Sequence, residues 1–338
     1  MEHLNKPKVA VIGTGGSISM LARYNLDLCE YGDFAQILEV DELLAMFPEV
    51  STAANIVPIR HSAIRSSSLT PPAWIDLVTK INKVTEDDPT ITGIVVTHGT
   101  SSLEETAYFL HLTVKVDIPV VIVGSQRPPN VMSTDAGLNL VNAVRVAGSP
   151  NARGLGVMVV MNDEIQCARE VTKTLNWRVE TFHTPDLGIL GYADPDGTIS
   201  IYRSSMRRHA PDTEFDVSHF KSKELPRVDI IFSYAGADGA LIEAAVASGA
   251  RGIVVAGHPP GQPTAGQRDA LIKANEHGVL VVLSSRAVGR AIPRANDAKT
   301  TGFVVADNLN PMKARILAML ALTVTDNCDE IRRMFAEY

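Results

Sequence analysis

A strand, a tight turn and the start of a helix are predicted within one stretch, Ile94-Val95-Val96-Thr97-His98-Gly99-Thr100-Ser101-Ser102-Leu103-Glu104-Glu105-Thr106. Its apolar start follows a glycine and is typical of a strand buried on both faces, and Gly99 permits a sharp turn. Ser101 or Ser102 can then cap a helix that begins with two glutamates. Hydroxyl groups therefore stand at the carboxyl end of a strand, where ligands bind in an open parallel sheet. The same pattern also fits a capped helix without any chemical role.

A second loop of hydroxyl-bearing residues follows the first predicted strand, Lys8 to Gly13. It reads Thr14-Gly15-Gly16-Ser17-Ile18-Ser19. This order does not fit the G-x-G-x-x-G pattern of dinucleotide sites, and it lacks the Gly-Lys pair of a phosphate-binding loop. We therefore expect no cofactor.

Short apolar strands alternate with helical segments along the chain, as is typical of parallel βαβ units in α/β proteins. Residues 20–34 show neither the helical nor the strand period of hydrophobic residues, which predicts a long loop of the kind used as a lid. At residues 206–227 prolines and mixed charges replace the pattern, which restarts on a smaller scale afterwards. We expect a larger parallel-sheet domain at 1–205, a linker at 206–227 and a smaller α/β domain at 228–338.

Composition limits the function classes. The 338 residues are 45% hydrophobic and carry a formal net charge of -7, which disfavours nucleic acid and anionic membranes as partners. The three cysteines form no CxxC pair and no metal-ligand spacing with histidine, so we expect neither disulfides nor a metal site. No signal sequence or membrane-spanning run is apparent, which predicts a cytoplasmic protein.

The chemistry must then come from hydroxyls, one lysine and backbone donors. A hydroxyl nucleophile needs a neighbouring base, and Lys173 can serve as one if burial lowers its pKa. The turns at Gly15-Gly16 and Gly99 offer N–H groups for an oxyanion. These features favour acyl transfer, although Lys173 also fits a solvated surface lysine.

Together the two loops resemble the signature motifs of the bacterial L-asparaginase/glutaminase family. The resemblance continues through further segments over nearly the whole chain: Gly124 to Arg127, Ser133 to Leu140, Met161 to Asp163, Val171 to Thr174 and Leu309 to Arg315. It implies a two-domain amidohydrolase on a small-molecule amide. It also implies a homodimer or homotetramer in which neighbouring subunits complete each site.

The resemblance assigns roles to single residues. It implies an acyl-enzyme on Ser17, assisted by a tyrosine of the lid loop that matches Tyr31 better than Tyr24. It implies Thr100 as the second hydroxyl, with Lys173 behind it. The substrate carboxylate would bind at Ser66. The substrate-binding residues that we expect around it are Arg65, Ser67, Gly99 and Ser101.

Three departures from the family pattern concern the substrate. Ser17 replaces the usual threonine, which keeps the hydroxyl. Ser101 replaces the aspartate that holds the substrate's α-ammonium group in the family, and Arg294 lies near the position of a second acid. We therefore expect a carboxamide, lactam or related acyl substrate without a free α-amino group. Arg65 and Arg294 would suit an extra carboxylate if they faced the pocket, but both also fit solvated surface arginines. A genuine L-asparaginase/glutaminase and a catalytically silent binding protein are the alternatives.

Overall fold

The computed structural model describes residues 6–34, 36–220, 224–292 and 301–338. The chain divides into two compact units, residues 1–212 and residues 213–338. Within the described residues, no helix is both long and apolar enough to cross a membrane.

The first unit is built on an eight-stranded sheet. The described residues of this unit form ten strands: β1 (Lys8–Gly15), β2 (Asn55–Ile64), β3 (Gly93–Thr97), β4 (Val120–Val123), β5 (Val157–Met161), β6 (Glu164–Cys167), β7 (Thr172–Lys173), β8 (Phe182–His183), β9 (Gly191–Ala193) and β10 (Ile199–Ile201). The sheet order is β10-β9-β6-β5-β4-β3-β1-β2, and β7 pairs separately with β8.

Where the structure describes this unit, it contains six α-helices: α1 (Tyr31–Phe34), α2 (Val40–Met46), α3 (Val50–Ala53), α4 (Pro71–Asp87), α5 (Leu103–Thr113) and α6 (Ala136–Gly148). Val95 of β3 and Val121 of β4 lie in one buried cluster with Leu140 and Val144 of α6. Strand β3, which contains the apolar run from Ile94, is thus buried inside the sheet, as its sequence predicts.

The sheet is mixed rather than wholly parallel, so the prediction of a parallel sheet holds for only part of it. Strands β2, β1, β3, β4 and β5 run parallel, whereas β6, β9 and β10 are antiparallel. The direction reverses at Asn162 and Asp163, whose φ angles are 53° and 64°. Two left-handed residues between strands are typical of a tight hairpin turn, and asparagine and aspartate tolerate that conformation.

The second unit has a four-stranded parallel sheet in the order β11-β12-β13-β14. Its elements are β11 (Val228–Phe232), α7 (Ala240–Ala247), β12 (Gly252–Gly257), α8 (Ala265–Glu276), β13 (Leu280–Ser285), β14 (Val304–Val305), α9 (Pro311–Val324) and α10 (Cys328–Glu337). The α/β fold class and the smaller second sheet are confirmed.

The segment predicted as a linker contains a packed part. Phe215 is fully buried, and its ring centroid lies 5.1 Å from that of Tyr338. Two buried aromatic rings in contact are typical of a packed core, whereas the side chains of a linker are solvated. The domain limits at 205 and 228 stay a prediction.

Candidate active site

The two hydroxyl-bearing loops meet at a pair of glycines. Strands β1 and β3 are parallel neighbours, so both loops leave the same edge of the sheet. Gly16 has a φ of 82°, and a Cβ atom added to it would lie 2.1 Å from the Gly99 backbone. A Cβ atom on Gly99 would lie 2.5 Å from Ser66 Oγ. Ser17, Thr100 and Ser66 therefore border one close contact that only glycines permit.

Gly16→Ala is expected to destabilise the protein by several kcal/mol and to abolish activity, because the new methyl group must push the two loops apart. Gly154→Ala is a matched control. Gly154 also has a positive φ, 72°, but nothing lies within 4 Å of its added Cβ. Its cost is then the strain of a left-handed residue alone, roughly 1–2 kcal/mol. Urea unfolding of both variants measures the difference, and equal losses would contradict the loop contact.

Ser17 and Tyr31 form the first polar pair of the site. Ser17 Oγ donates to the backbone oxygen of Ser125 at 2.5 Å, and the Tyr31 hydroxyl lies near enough to the Ser17 side chain for Ser17 to influence the tyrosine's pKa. Burial raises the pKa of Tyr31, while the contact with Ser17 acts in the opposite direction. Tyr24 is 58% exposed and stacks against Arg23. Of the two candidate tyrosines, Tyr31 is thus the one beside the hydroxyl.

The segment carrying Tyr31 is mainly loop, as predicted for residues 20–34, and it is fastened at two points. The Asn130 side chain donates to the Ala22 carbonyl at 2.7 Å and accepts the Ala22 N–H at 2.9 Å. The Met132 N–H donates to the Asn25 carbonyl at 3.0 Å, and within the segment the buried carboxylate of Asp27 accepts from Arg23 Nε at 2.9 Å. These contacts hold the segment that carries Tyr31 in a defined position.

Thr100 and Lys173 form the second polar pair. Lys173 Nζ lies 2.8 Å from Thr100 Oγ1, where β7 passes the start of α5. The lysine is half-buried rather than a solvated surface residue, and burial lowers its pKa, against an opposing effect of Glu104. A lysine with a lowered pKa is a better proton acceptor near neutral pH. The pair can therefore activate a hydroxyl or a water molecule.

Glu104 supports this pair, although the sequence identified it only as a residue of the first helical turn. Its buried carboxylate accepts from the Lys173 backbone N–H at 3.2 Å and from Thr172 Oγ1 at 3.1 Å. These bonds hold β7 against α5. Burial of an acidic residue at the start of a helix is a tertiary feature that the local pattern does not reveal.

Among the predicted substrate-binding residues, Ser66 is buried and the others differ in exposure. Ser66 begins a short 3₁₀ helix at Ser66–Ser68, while Arg65, Ser67 and Ser101 are exposed. Ser102 occupies the N-cap position of α5, but its hydroxyl donates to the Ser66 carbonyl at 2.7 Å instead of capping the helix. Arg294 lies outside the described residues.

The backbone donors of the two turns are not equivalent. The Gly16 N–H donates to the Ile64 carbonyl at 3.1 Å, so the expectation that it serves an oxyanion is wrong. Within the described residues, the N–H groups of Gly99 and Thr100 have no protein acceptor. An oxyanion can be stabilised by such uncommitted donors at the start of a helix.

Gln126 is a site residue that the sequence reading missed. Its Oε1 atom lies 3.3 Å from Lys173 Nζ and 3.4 Å from Thr100 Oγ1. Asp135 holds the adjoining backbone by accepting the N–H groups of Gln126 at 2.9 Å and Arg127 at 3.0 Å. The residue follows β4, and this position at a strand end was the available signal.

The part of the chain that is described contains no group of three or more potential metal ligands.

Comparisons with known proteins agree with this arrangement. The family model described as "Asparaginase, N-terminal" matches residues 8–207, and that of the "Glutaminase/Asparaginase C-terminal domain" matches residues 227–335. The chain belongs to the asparaginase family. Its members cleave amide C–N bonds, so the protein is an amidohydrolase, and the resemblance of the two loops is confirmed.

Several relatives match over almost the full length of this asparaginase-family chain. "L-asparaginase 2" of Bacillus subtilis is 40% identical over 100% of this chain and 88% of its own, and "Glutaminase-asparaginase" of Pseudomonas fluorescens is 40% identical over 98% and 90%. The crystal structure of a "Probable Cytoplasmic L-asparaginase" from Campylobacter jejuni has a TM-score of 0.92 at 38% identity, covering 98% of this chain and 100% of that one.

Proposed function

We propose that the protein hydrolyses a carboxamide through an acyl-enzyme on Ser17, and that its substrate lacks a free α-amino group. The observation that carries the substrate class is the exposed serine at position 101, beside Thr100. The family resemblance implies an aspartate there, which would hold the α-ammonium group of asparagine.

In the first step, Ser17 Oγ attacks the amide carbonyl carbon and a C–O bond forms. The C–N bond then breaks, the hydroxyl proton passes by way of Tyr31 to the departing nitrogen, and ammonia leaves. The short contact of Ser17 Oγ with the Ser125 carbonyl, 2.5 Å, orients the attacking hydroxyl. A positioned proton carrier of this kind contributes typically about 100-fold to 10,000-fold to a rate.

The second step returns the serine. Water gives a proton to the Thr100–Lys173 pair and attacks the ester carbon. The C–O bond to Ser17 then breaks, Ser17 Oγ takes up a proton in exchange for the one that the pair received, and a carboxylic acid forms. The contact of 2.8 Å between Lys173 Nζ and Thr100 Oγ1 supports this proton path. The uncommitted N–H groups of Gly99 and Thr100 would carry the negative charge of both tetrahedral intermediates.

Charge explains the proposed substrate class. An ammonium group that leaves water without a carboxylate partner loses several kcal/mol of binding. The carboxylates near the site are already engaged, since Glu104 accepts from Lys173 and Thr172, and Asp135 accepts from two backbone N–H groups. The exposed guanidinium of Arg65 adds positive charge next to Ser66. An anionic or neutral acyl group fits these surroundings better than a zwitterionic amino acid.

The second candidate is a genuine L-asparaginase or glutaminase. It is favoured by relatives whose names state asparaginase or glutaminase activity, at about 40% identity over the full chain. Another residue would then have to supply the charge that is missing at Ser101.

Ammonia release from asparagine, glutamine and succinamate, measured beside the ring opening of cyclic imides, separates the two candidates. Succinamate is asparagine without its amino group, so the pair is matched in every other atom. We expect kcat/KM for succinamate to exceed that for asparagine by about tenfold or more, because a charged hydrogen bond contributes roughly 1.5–3 kcal/mol. A low KM for asparagine with a higher kcat/KM would contradict the proposal.

We also propose, from the family resemblance, that the chain acts as a homodimer or homotetramer in the cytoplasm. The comparison proteins differ in location, because one is titled cytoplasmic and a relative from Haemophilus influenzae is named a probable periplasmic asparaginase. Sedimentation of the purified protein measures the oligomer, and fractionation of cells measures the compartment.

A further inference from the structure

We propose that Gln126 is a positioning residue, whose amide oxygen accepts from both the Lys173 amine and the Thr100 hydroxyl and so holds the two groups of this pair in place. The inference deepens the proposed function and rests on it, because it concerns the proton path of the second step. It starts from the two contacts of Gln126 Oε1, 3.3 Å to Lys173 Nζ and 3.4 Å to Thr100 Oγ1.

The hydrogen-bonding capacities of the three groups fix their arrangement. An amide oxygen only accepts, so Lys173 Nζ and Thr100 Oγ1 must each donate to Gln126 Oε1. The Thr100 oxygen then accepts from a second N–H of the lysine, 2.8 Å away. A neutral lysine has two N–H bonds and one lone pair. With both N–H bonds engaged, rotation about the terminal bond is restricted and the lone pair keeps one direction, in which it can accept a proton.

Hydrogen bonds of the main chain hold the backbone of Gln126 in place. Asp135 accepts the Gln126 N–H at 2.9 Å and the Arg127 N–H at 3.0 Å, and the preceding carbonyl, that of Ser125, accepts from Ser17. Residues 125 and 126 therefore touch both polar pairs of the site. The Gln126 Nε2 atom is buried and has no partner within the described residues, which indicates that the side chain is held by its oxygen.

A neutral acceptor suits this role because it orients the amine without adding charge. The titratable groups around Lys173 are Glu104 on α5, Asp135 behind the Gln126 backbone, and His183 on β8, which pairs with Thr172. A carboxylate at position 126 would add a negative charge about 3 Å from the amine and favour its protonated form. Glutamine therefore leaves the lysine free to act as a base.

Two substitutions at this position separate orientation from charge. Gln126→Met keeps the length of the side chain and removes the acceptor, whereas Gln126→Glu keeps an oxygen and adds a charge. Gln36→Glu, at an exposed position outside the site, is the matched control for the charge. Circular dichroism checks the fold of each variant, and Gln126→Asn replaces Gln126→Met if the latter does not fold.

The first measurement is the NMR titration of Lys173 in ligand-free protein, with the signal assigned by Lys173→Arg. Gln126→Glu is expected to raise the midpoint by roughly one pH unit or more, and Gln36→Glu to leave it unchanged. A midpoint that does not move in Gln126→Glu overturns the proposal. This readout needs no substrate, so its failure is distinct from a failure of the proposed function.

The second measurement is the pH profile on whichever amide the wild type hydrolyses. Gln126→Met is expected to lower kcat by about 10-fold to 100-fold with KM changed less than about threefold, because the base is misoriented while binding persists. In Gln126→Glu, the rise of kcat with pH moves to higher pH, since the rate needs the neutral amine. A kcat within twofold of wild type in Gln126→Met contradicts the role.

Discussion

The Ser17→Ala variant is expected to lose amide hydrolysis by about 10,000-fold or more in kcat, the largest effect of any single substitution in the site. Without the hydroxyl no ester can form, and water has no positioned path to the amide carbon. Tyr31 and the Ser125 carbonyl, which both contact Ser17, would remain without a nucleophile to orient. Steady-state ammonia release on the best substrate of the panel measures the loss.

Ser19→Ala is the matched control, because Ser19 lies in the same 3₁₀ helix, Ser17–Ser19, and loses the same atom. Its carbonyl, not its hydroxyl, accepts the Leu38 N–H at 2.7 Å. We expect its kcat to stay within about threefold of wild type, as for a substitution remote from the chemistry. Activity retained in Ser17→Ala would rule out Ser17 as the nucleophile.

The Ser101→Asp variant is expected to raise kcat/KM for asparagine by about 10-fold to 100-fold, because it adds a carboxylate at the position that the resemblance assigns to the ammonium group. Ser101 is exposed, so the larger side chain needs no rearrangement of the core. The same change should weaken turnover of succinamate, since the new charge repels an anionic substrate. Kinetics on the two substrates measure both effects in one variant.

Ser101→Asn controls for size without charge and should leave the preference between the two substrates near that of wild type. If Ser101→Asp fails to improve asparagine while the wild type already hydrolyses it with a low KM, the ammonium site is filled by another residue. The protein would then be a genuine asparaginase.

The sequence predicted the α/β fold class and most elements, because each is determined locally. The apolar runs at Lys8 to Gly13 and at Ile94 to Val96 form strands at the predicted positions. The antiparallel part of the sheet was missed because its signal is a two-residue turn, Asn162 and Asp163, whose left-handed angles determine the direction of β6.

The candidate site was predictable only where the family resemblance identified it. The spacing of residues alone did not show whether Lys173 is a buried base or a solvated surface lysine. Its contact with Thr100 joins residues 73 positions apart in the chain. Glu104 gave no local signal, since a glutamate in a first helical turn is ordinary on a surface. Gln126 had only its position after a strand, which does not distinguish a site residue from a surface glutamine. Their roles arise from packing between β4, β7 and α5, which the sequence order does not show.

The most direct test of the central claim, a covalent intermediate on Ser17, is mass spectrometry of enzyme quenched in acid during turnover of the best substrate. We expect an added mass equal to the substrate's acyl group, located on the peptide that contains Ser17 and absent from Ser17→Ala. An unmodified Ser17 peptide under conditions of rapid ammonia release, or an acyl group on Thr100 instead, would contradict it.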